Sequence, residues 1–189
     1  MLRWIIRALA ILVIAAAALV VLDFAELLVP VGGENASMAT TIPACNGRVL
    51  AQGFTNRISD PDDGDVVAVH AAETDDGVFP DADADDRTLV LRVAAGPGDT
   101  IVGRAGAVWV NDIKIDDITT PPFKEVSVPN EQYFLLGDNR TGAIDSRTFG
   151  PVLRDAIFAK VFAVVWPLRD FTFRLGPFTG DPPGPIACT

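Results

Sequence analysis

Apolar and polar positions fall into two regimes along this chain. From residue 4 to 22, "WIIRALAILVIAAAALVVL" is apolar with Arg7 as its only charge. Beyond "DFAELLVPVGG" the apolar runs shorten to "RVLAQ", "DVVAVH", "TLVLRVAA", "TIVG", "AVWVN", "VSVP" and "QYFLL", each bounded by Gly, Pro, Asn or Asp. Runs of this length, rich in Val, Leu and Ile and separated by turn residues, predict strands with short connections. The expected fold is therefore mainly β, an antiparallel sheet domain. A last apolar stretch, "AIFAKVFAVVWPL", fits helix or strand by period. Its Val and Phe content and its terminating Pro167 favour one long strand.

The first run is expected to form one transmembrane helix. At about 1.5 Å per residue it approaches the roughly 30 Å of a bilayer's hydrocarbon, and Arg7 lies near enough to the end to snorkel. Arg3 and Arg7 precede the core of the run while Asp23 and Glu26 follow it. That asymmetry predicts a single pass in the cell membrane, with a cytoplasmic N-terminus and the rest extracytoplasmic. A removed secretory signal begins in the same way, but Ala15 to Ala17 lie inside the apolar run and Glu34 would sit three residues before a cut after Ala36. Three segments follow from this reading: an anchor at 1–30, a β domain at 31–175 and a Pro/Gly-rich tail at 176–189.

Composition narrows the partners. With 189 residues, 49% of them hydrophobic, the chain can bury one core rather than two large ones. A net charge of −10 excludes a phosphate-neutralising groove, so no nucleic acid is expected as a partner. Eleven acidic residues and no Lys or Arg lie between Asp60 and Asp86, and the part at 73–86 reads as a solvated excursion. Asp81, Asp83 and Asp85 alternate as cation ligands do, yet the Gly and Glu that complete a calcium loop are missing. No metal and no cofactor are expected. Cys45 and Cys188 leave a bridge, free thiols or pairing with another chain open.

Four segments carry more polar geometry than turns need: "NASMATTI" at 35–42, "GDVVAV" at 64–69, "LVLRVAAGPGD" at 89–99 and "GDNRTGAIDSRTFG" at 137–150. In this order and spacing they resemble the bacterial type I signal peptidases, membrane-anchored serine endopeptidases that remove signal peptides from exported proteins. The resemblance implies Ser37, beside Met38, as the nucleophile, with Asn35 two residues earlier as an oxyanion donor or as an Asx turn shaping the loop. It implies that Asp138, Arg140, Asp145 and Arg147 hold the site loop in shape, Asp145 pairing with Arg147. Signal peptides, the lipid bilayer and a membrane protein are the partners it suggests.

Two positions depart from that family. A serine hydroxyl needs a group to take its proton. The family supplies a lysine six residues before the Pro of its Pro-Gly-Asp, and here that position is Leu91. Arg92 beside it stays protonated and cannot substitute. The family's serine that orients the lysine is replaced by Ala143. His70, the only histidine, is the remaining candidate base, with a surface or strand-end role as the plainer reading. Two functions therefore stand side by side: a signal peptidase-type endopeptidase, or an inactive relative that binds signal peptides or a membrane protein.

Overall fold

Strands dominate, as the short apolar runs predict. The structure, a computed structural model, describes residues 4, 6–7, 9–14, 28–31, 37–42, 47–52, 59–70 and 88–166. The strands are β1 (Leu28–Val31), β2 (Gly47–Gln52), β3 (Val66–His70), β4 (Thr88–Ala95), β5 (Thr100–Arg104), β6 (Ala107–Val110), β7 (Ile113–Lys114), β8 (Phe123–Ser127), β9 (Gln132–Leu136), β10 (Val152–Leu153) and β11 (Ile157–Trp166). One sheet has the order β1-β2-β11-β3-β4-β9-β10 and the other β7-β6-β5-β8. Every pairing is antiparallel. The final apolar stretch is the ten-residue β11, wedged between β2 and β3.

The expected transmembrane helix is corrected. Helical positions are described at 4, 6–7 and 9–14, and among the described residues no helix is long and apolar enough to cross a membrane. The 4–14 stretch would rise only about 16 Å at 1.5 Å per residue, against the roughly 20 residues a bilayer requires. The single-pass topology and the extracytoplasmic placement argued from it fall with that helix. Apolar composition makes a segment compatible with hydrocarbon, but it does not make the backbone one continuous helix. The rest of the run at 15–22, Asn35, Cys45, the excursion at 73–86, the tail at 176–189 and Cys188 lie outside the described residues.

The large sheet is buried on both faces, and strand alternation assigns each side chain. Val66, Ala68 and Val90 pack with Met38, Ile42, Val49 and Val161 on one face. Val67, Val69, Leu91 and Val93 pack with Leu135, Phe149 and Ile157 on the other. Strands buried on both sides read as continuous apolar runs, which is why "DVVAV" and "TLVL" lack polar alternation. Each such fully buried Val or Leu contributes about 1.5–3 kcal/mol. A third cluster, with Ile101, Val108, Phe134 and Leu136, fastens the smaller sheet to the end of β4 and β9. There Gly103 lets the Phe123 ring lie against the backbone, since a Cβ at that position would meet the ring at 2.3 Å.

Candidate functional site

The loop after β9 is built on two carboxylates. Asp145 caps the four-residue helix Ser146–Phe149, accepting from the Arg147 backbone N–H. It also accepts from the Gly137 N–H at 3.0 Å and from Arg147 Nε and Nη2 at 2.8 and 2.7 Å. Arg147 Nη1 donates to the Arg140 carbonyl at 2.6 Å, and Ser146 Oγ accepts the Leu135 N–H at 2.9 Å. The pairing of Asp145 with Arg147 expected from the sequence is thus seen, and it closes the loop on itself.

Asp138 does the long-range work. Its side chain is fully buried and takes a bidentate pair from Arg92 Nε and Nη2 at 2.9 and 2.7 Å. Thr41 Oγ1 donates to the same carboxylate at 2.5 Å, and the Asp138 N–H points at Met38 Sδ at 3.5 Å. Arg92 Nη1 reaches the Gly64 carbonyl at 2.7 Å. One carboxylate thereby joins four of the segments singled out in the sequence. A charged residue inside the apolar run "TLVLRVAA" was the signal for such a buried pair, because an arginine there is tolerated only with a partner.

Ser37 is fixed from the backbone side. It opens a turn in which the Met38 carbonyl accepts from the Thr41 and Ile42 N–H groups at 2.8 and 2.7 Å, and its own carbonyl accepts from Asn139 N at 2.9 Å. A Cβ placed on Gly137 would lie 2.3 Å from the Ala143 Cβ, 2.6 Å from the Ser37 carbonyl oxygen and 3.2 Å from the Ser37 Cβ. Only glycine permits this approach, so Ser37, Gly137 and Ala143 share one small volume. Ala143 is held there by its N–H to the Asn139 carbonyl at 2.9 Å.

Leu91 lies near the same end of the strand pair. Arg92 pairs with Leu136, the last residue of β9, and Leu91 and Gly137 are the next residues along the two segments. Leu91 is completely enclosed, in a cluster against which Ile144, the neighbour of Ala143, also packs. Position 91 is therefore an enclosed hydrocarbon side chain, in the cluster that borders the Ile144 segment.

His70 lies elsewhere. It pairs with Thr88, three residues before Leu91, or about 10 Å along the strand. Its alternation puts it on the face of Val66 and Ala68, opposite to Leu91, where its exposed ring stacks on Phe158 at 4.3 Å. Lys160 shares the Leu91 face through the register Lys160–Val67–Leu91. It is two strands from Leu91, about 10 Å, and is ion-paired to Asp65 at 2.5 Å.

Arg140 was expected only to hold the loop. Its Nη2 donates to Asp116 Oδ2 at 2.7 Å, the two side chains being 2% and 7% exposed. Burial holds the guanidinium below its usual value, against the opposing pull of Asp116, Asp138 and Asp145. Asp116 lies in the irregular segment after β7, and no local pattern in the sequence announces the pair.

The sequence has known relatives. Residues 1–166 match the family model described as signal peptidase, peptidase S26. The chain belongs to that family. A protein of Synechocystis sp. named probable signal peptidase I-2 is 31% identical over 153 residues, covering 78% of this chain and 65% of the relative. The mitochondrial ATP-independent inner membrane protease subunit 1b of Arabidopsis thaliana is 30% identical over 141 residues, covering 75% of this chain and 71% of the relative. The match to the Synechocystis relative thus spans just under two thirds of its length. Among solved structures, a signal peptidase I from Enterococcus faecalis V583 aligns over 54% of this chain and 97% of that one at 21% identity, with a TM-score of 0.43, too loose a fit to add to the assignment. For this signal peptidase family member the family speaks for a general peptidase-type role. It leaves the chemistry at Ser37 to the residues around it.

Proposed function

We propose that this chain is a non-catalytic signal peptidase family member that binds extended segments of the signal-peptide class. The observation that supports the reading is the complete burial of Leu91 as an aliphatic side chain, in a cluster against which Ile144, next to Ala143, also packs. A serine attacks a peptide bond only when its proton has an acceptor, and losing a general base typically lowers the rate about 10² to 10⁴-fold. Ala143 supports the same reading, since a hydroxyl that oriented an amine has no use once the amine is gone. What a binding protein needs is retained: the turn at Ser37 and the loop after β9 remain tied together, and an extended peptide can be recognised by strand addition with shallow pockets for alternate side chains.

A second reading, a working endopeptidase that removes signal peptides, is favoured by the retention of Ser37 in a fixed turn against Gly137. It requires a base from His70, from residues outside the described ones, or from another chain.

Cleavage of a signal-peptide substrate in detergent separates the two. The natural chain should show little or no cleavage, and Leu91→Lys with Ala143→Ser should gain it by about 10²-fold or more. Leu91→Lys alone should gain less, because a desolvated amine without its orienting hydroxyl is poorly placed. Robust cleavage by the natural chain that disappears in Ser37→Ala would refute the binding reading. If it disappears in His70→Ala as well, His70 supplies the base.

A further inference from the structure

Arg140 and Asp116 form a buried ion pair across 24 residues of sequence, with Arg140 Nη2 donating to Asp116 Oδ2 at 2.7 Å. The guanidinium is poorly served by it: among the described residues its Nε and Nη1 have no hydrogen-bond partner. Burying a charged pair with two donors unmet costs free energy that well-packed apolar side chains would not. Stability is therefore a weak reason for this pair. The other use of a buried pair is to fix the register of two elements, and what each partner holds supports that use here.

Asp116 is a fixed point beside the smaller sheet. Its Oδ1 accepts the Ile118 N–H at 3.1 Å, and its segment is tied down by the Ile115 N–H to the Val108 carbonyl at 3.1 Å and the Thr120 N–H to the Gly106 carbonyl at 3.0 Å. Val108 lies in β6 and Gly106 in the turn between β5 and β6. Arg140 reaches the volume at Ser37 through the peptide that joins it to Asn139. That peptide carries the Asn139 carbonyl, which accepts the Gly142 and Ala143 N–H groups at 3.1 and 2.9 Å, while the Asn139 N–H donates to the Ser37 carbonyl at 2.9 Å. Turning residue 140 tilts the peptide and disturbs both contacts. We propose that Asp116 is a positioning residue for the Ser37 turn, acting through Arg140 from the smaller sheet. Arg92 with Asp138 ties the loop to β4, and Arg147 with Asp145 closes the loop on itself, so neither pair sets its place against the smaller sheet. The role concerns the geometry at Ser37, and it holds whether that site binds a peptide or cleaves one.

Amide hydrogen exchange of the full chain, followed by two-dimensional NMR, tests the proposal in two variants. Asp116→Leu with Arg140→Met removes both charges and leaves apolar side chains in their place, so its melting temperature should equal or exceed that of the natural chain. Exchange at the Asn139 and Ala143 amides should nevertheless speed up about 10-fold or more, the protection lost with roughly one hydrogen bond. The Gly137 and Leu135 amides, whose acceptors are Asp145 and Ser146 Oγ, should exchange as before. Asp116→Asn keeps the volume and an acceptor for Ile118, and it should speed the same two amides while sparing the same two controls. It decides alone if the double variant fails to fold. A pair that serves only stability gives another pattern, with all four amides speeding up together as the melting temperature falls. That pattern, or unchanged exchange at Asn139 and Ala143, would overturn the proposal.

Discussion

Replacing Asp138 by alanine should unfold this protein more readily than any change at its surface charges. The carboxylate is fully buried, the Arg92 side chain is 7% exposed, and the two share a bidentate pair at 2.9 and 2.7 Å. Asp138→Ala leaves that guanidinium charged, enclosed and short of its acceptor, and also strands the Thr41 hydroxyl. Breaking a buried pair from one side costs about 3–5 kcal/mol, most of it the penalty of the orphaned charge. For a chain of this size each kcal/mol moves the midpoint by about 2–4 °C, so a fall of about 6–20 °C is expected. Urea unfolding followed by tryptophan fluorescence should show a lower midpoint with an unchanged slope. Asp117→Ala is the control: its partner Lys114 is 42% exposed and Asp117 67%, so that pair should contribute no more than about 1 kcal/mol. The double variant Arg92→Met with Asp138→Leu should be less destabilised than the sum of its single changes, by about 2 kcal/mol, because no unpaired charge remains. If Asp138→Ala cost no more than Asp117→Ala, the claim that this carboxylate pins the Ser37 turn to the sheet would be refuted.

Two further expectations join the cleavage test. Gly137→Ala should cost about 1–3 kcal/mol by overpacking, since its Cβ would lie 2.3 Å from the Ala143 Cβ and 2.6 Å from the Ser37 carbonyl; Ala143→Gly in the same chain should recover part of the loss, and an unchanged melting temperature would contradict the close approach. Asp63 is raised above its usual 3.8, first by partial desolvation and then by Asp99, Asp62 and Asp65. The native state therefore holds this proton to higher pH than the unfolded chain does, and stability falls as pH rises from the ordinary carboxylate value through the raised one. Asp63→Asn should accordingly be slightly more stable than the natural chain at pH 7, with the gain vanishing as pH drops below the ordinary value; thermal melts at both ends of that window check the sign.

Strands were legible in the sequence because their signal is local. "TLVLRVAA" and "QYFLL" carry their own length, β-branched content and flanking turn residues, and the structure places β4 and β9 on them. The N-terminal run shows the limit of this kind of reading: its hydropathy is a property of side chains, whereas a membrane-spanning helix is a property of continuous backbone, and no described helix has the length. Contacts between distant residues were beyond the sequence altogether. Asp138 meets Thr41 across a separation of 97 residues and Arg92 across 46, and Arg140 finds Asp116 across 24. Which carboxylate neutralises which arginine depends on sheet order and register, and those are set by burying the two faces of β3 and β4 at once. The place of Gly137 against Ser37 exists only after that packing is complete, because a close approach belongs to the space between elements and to no single segment.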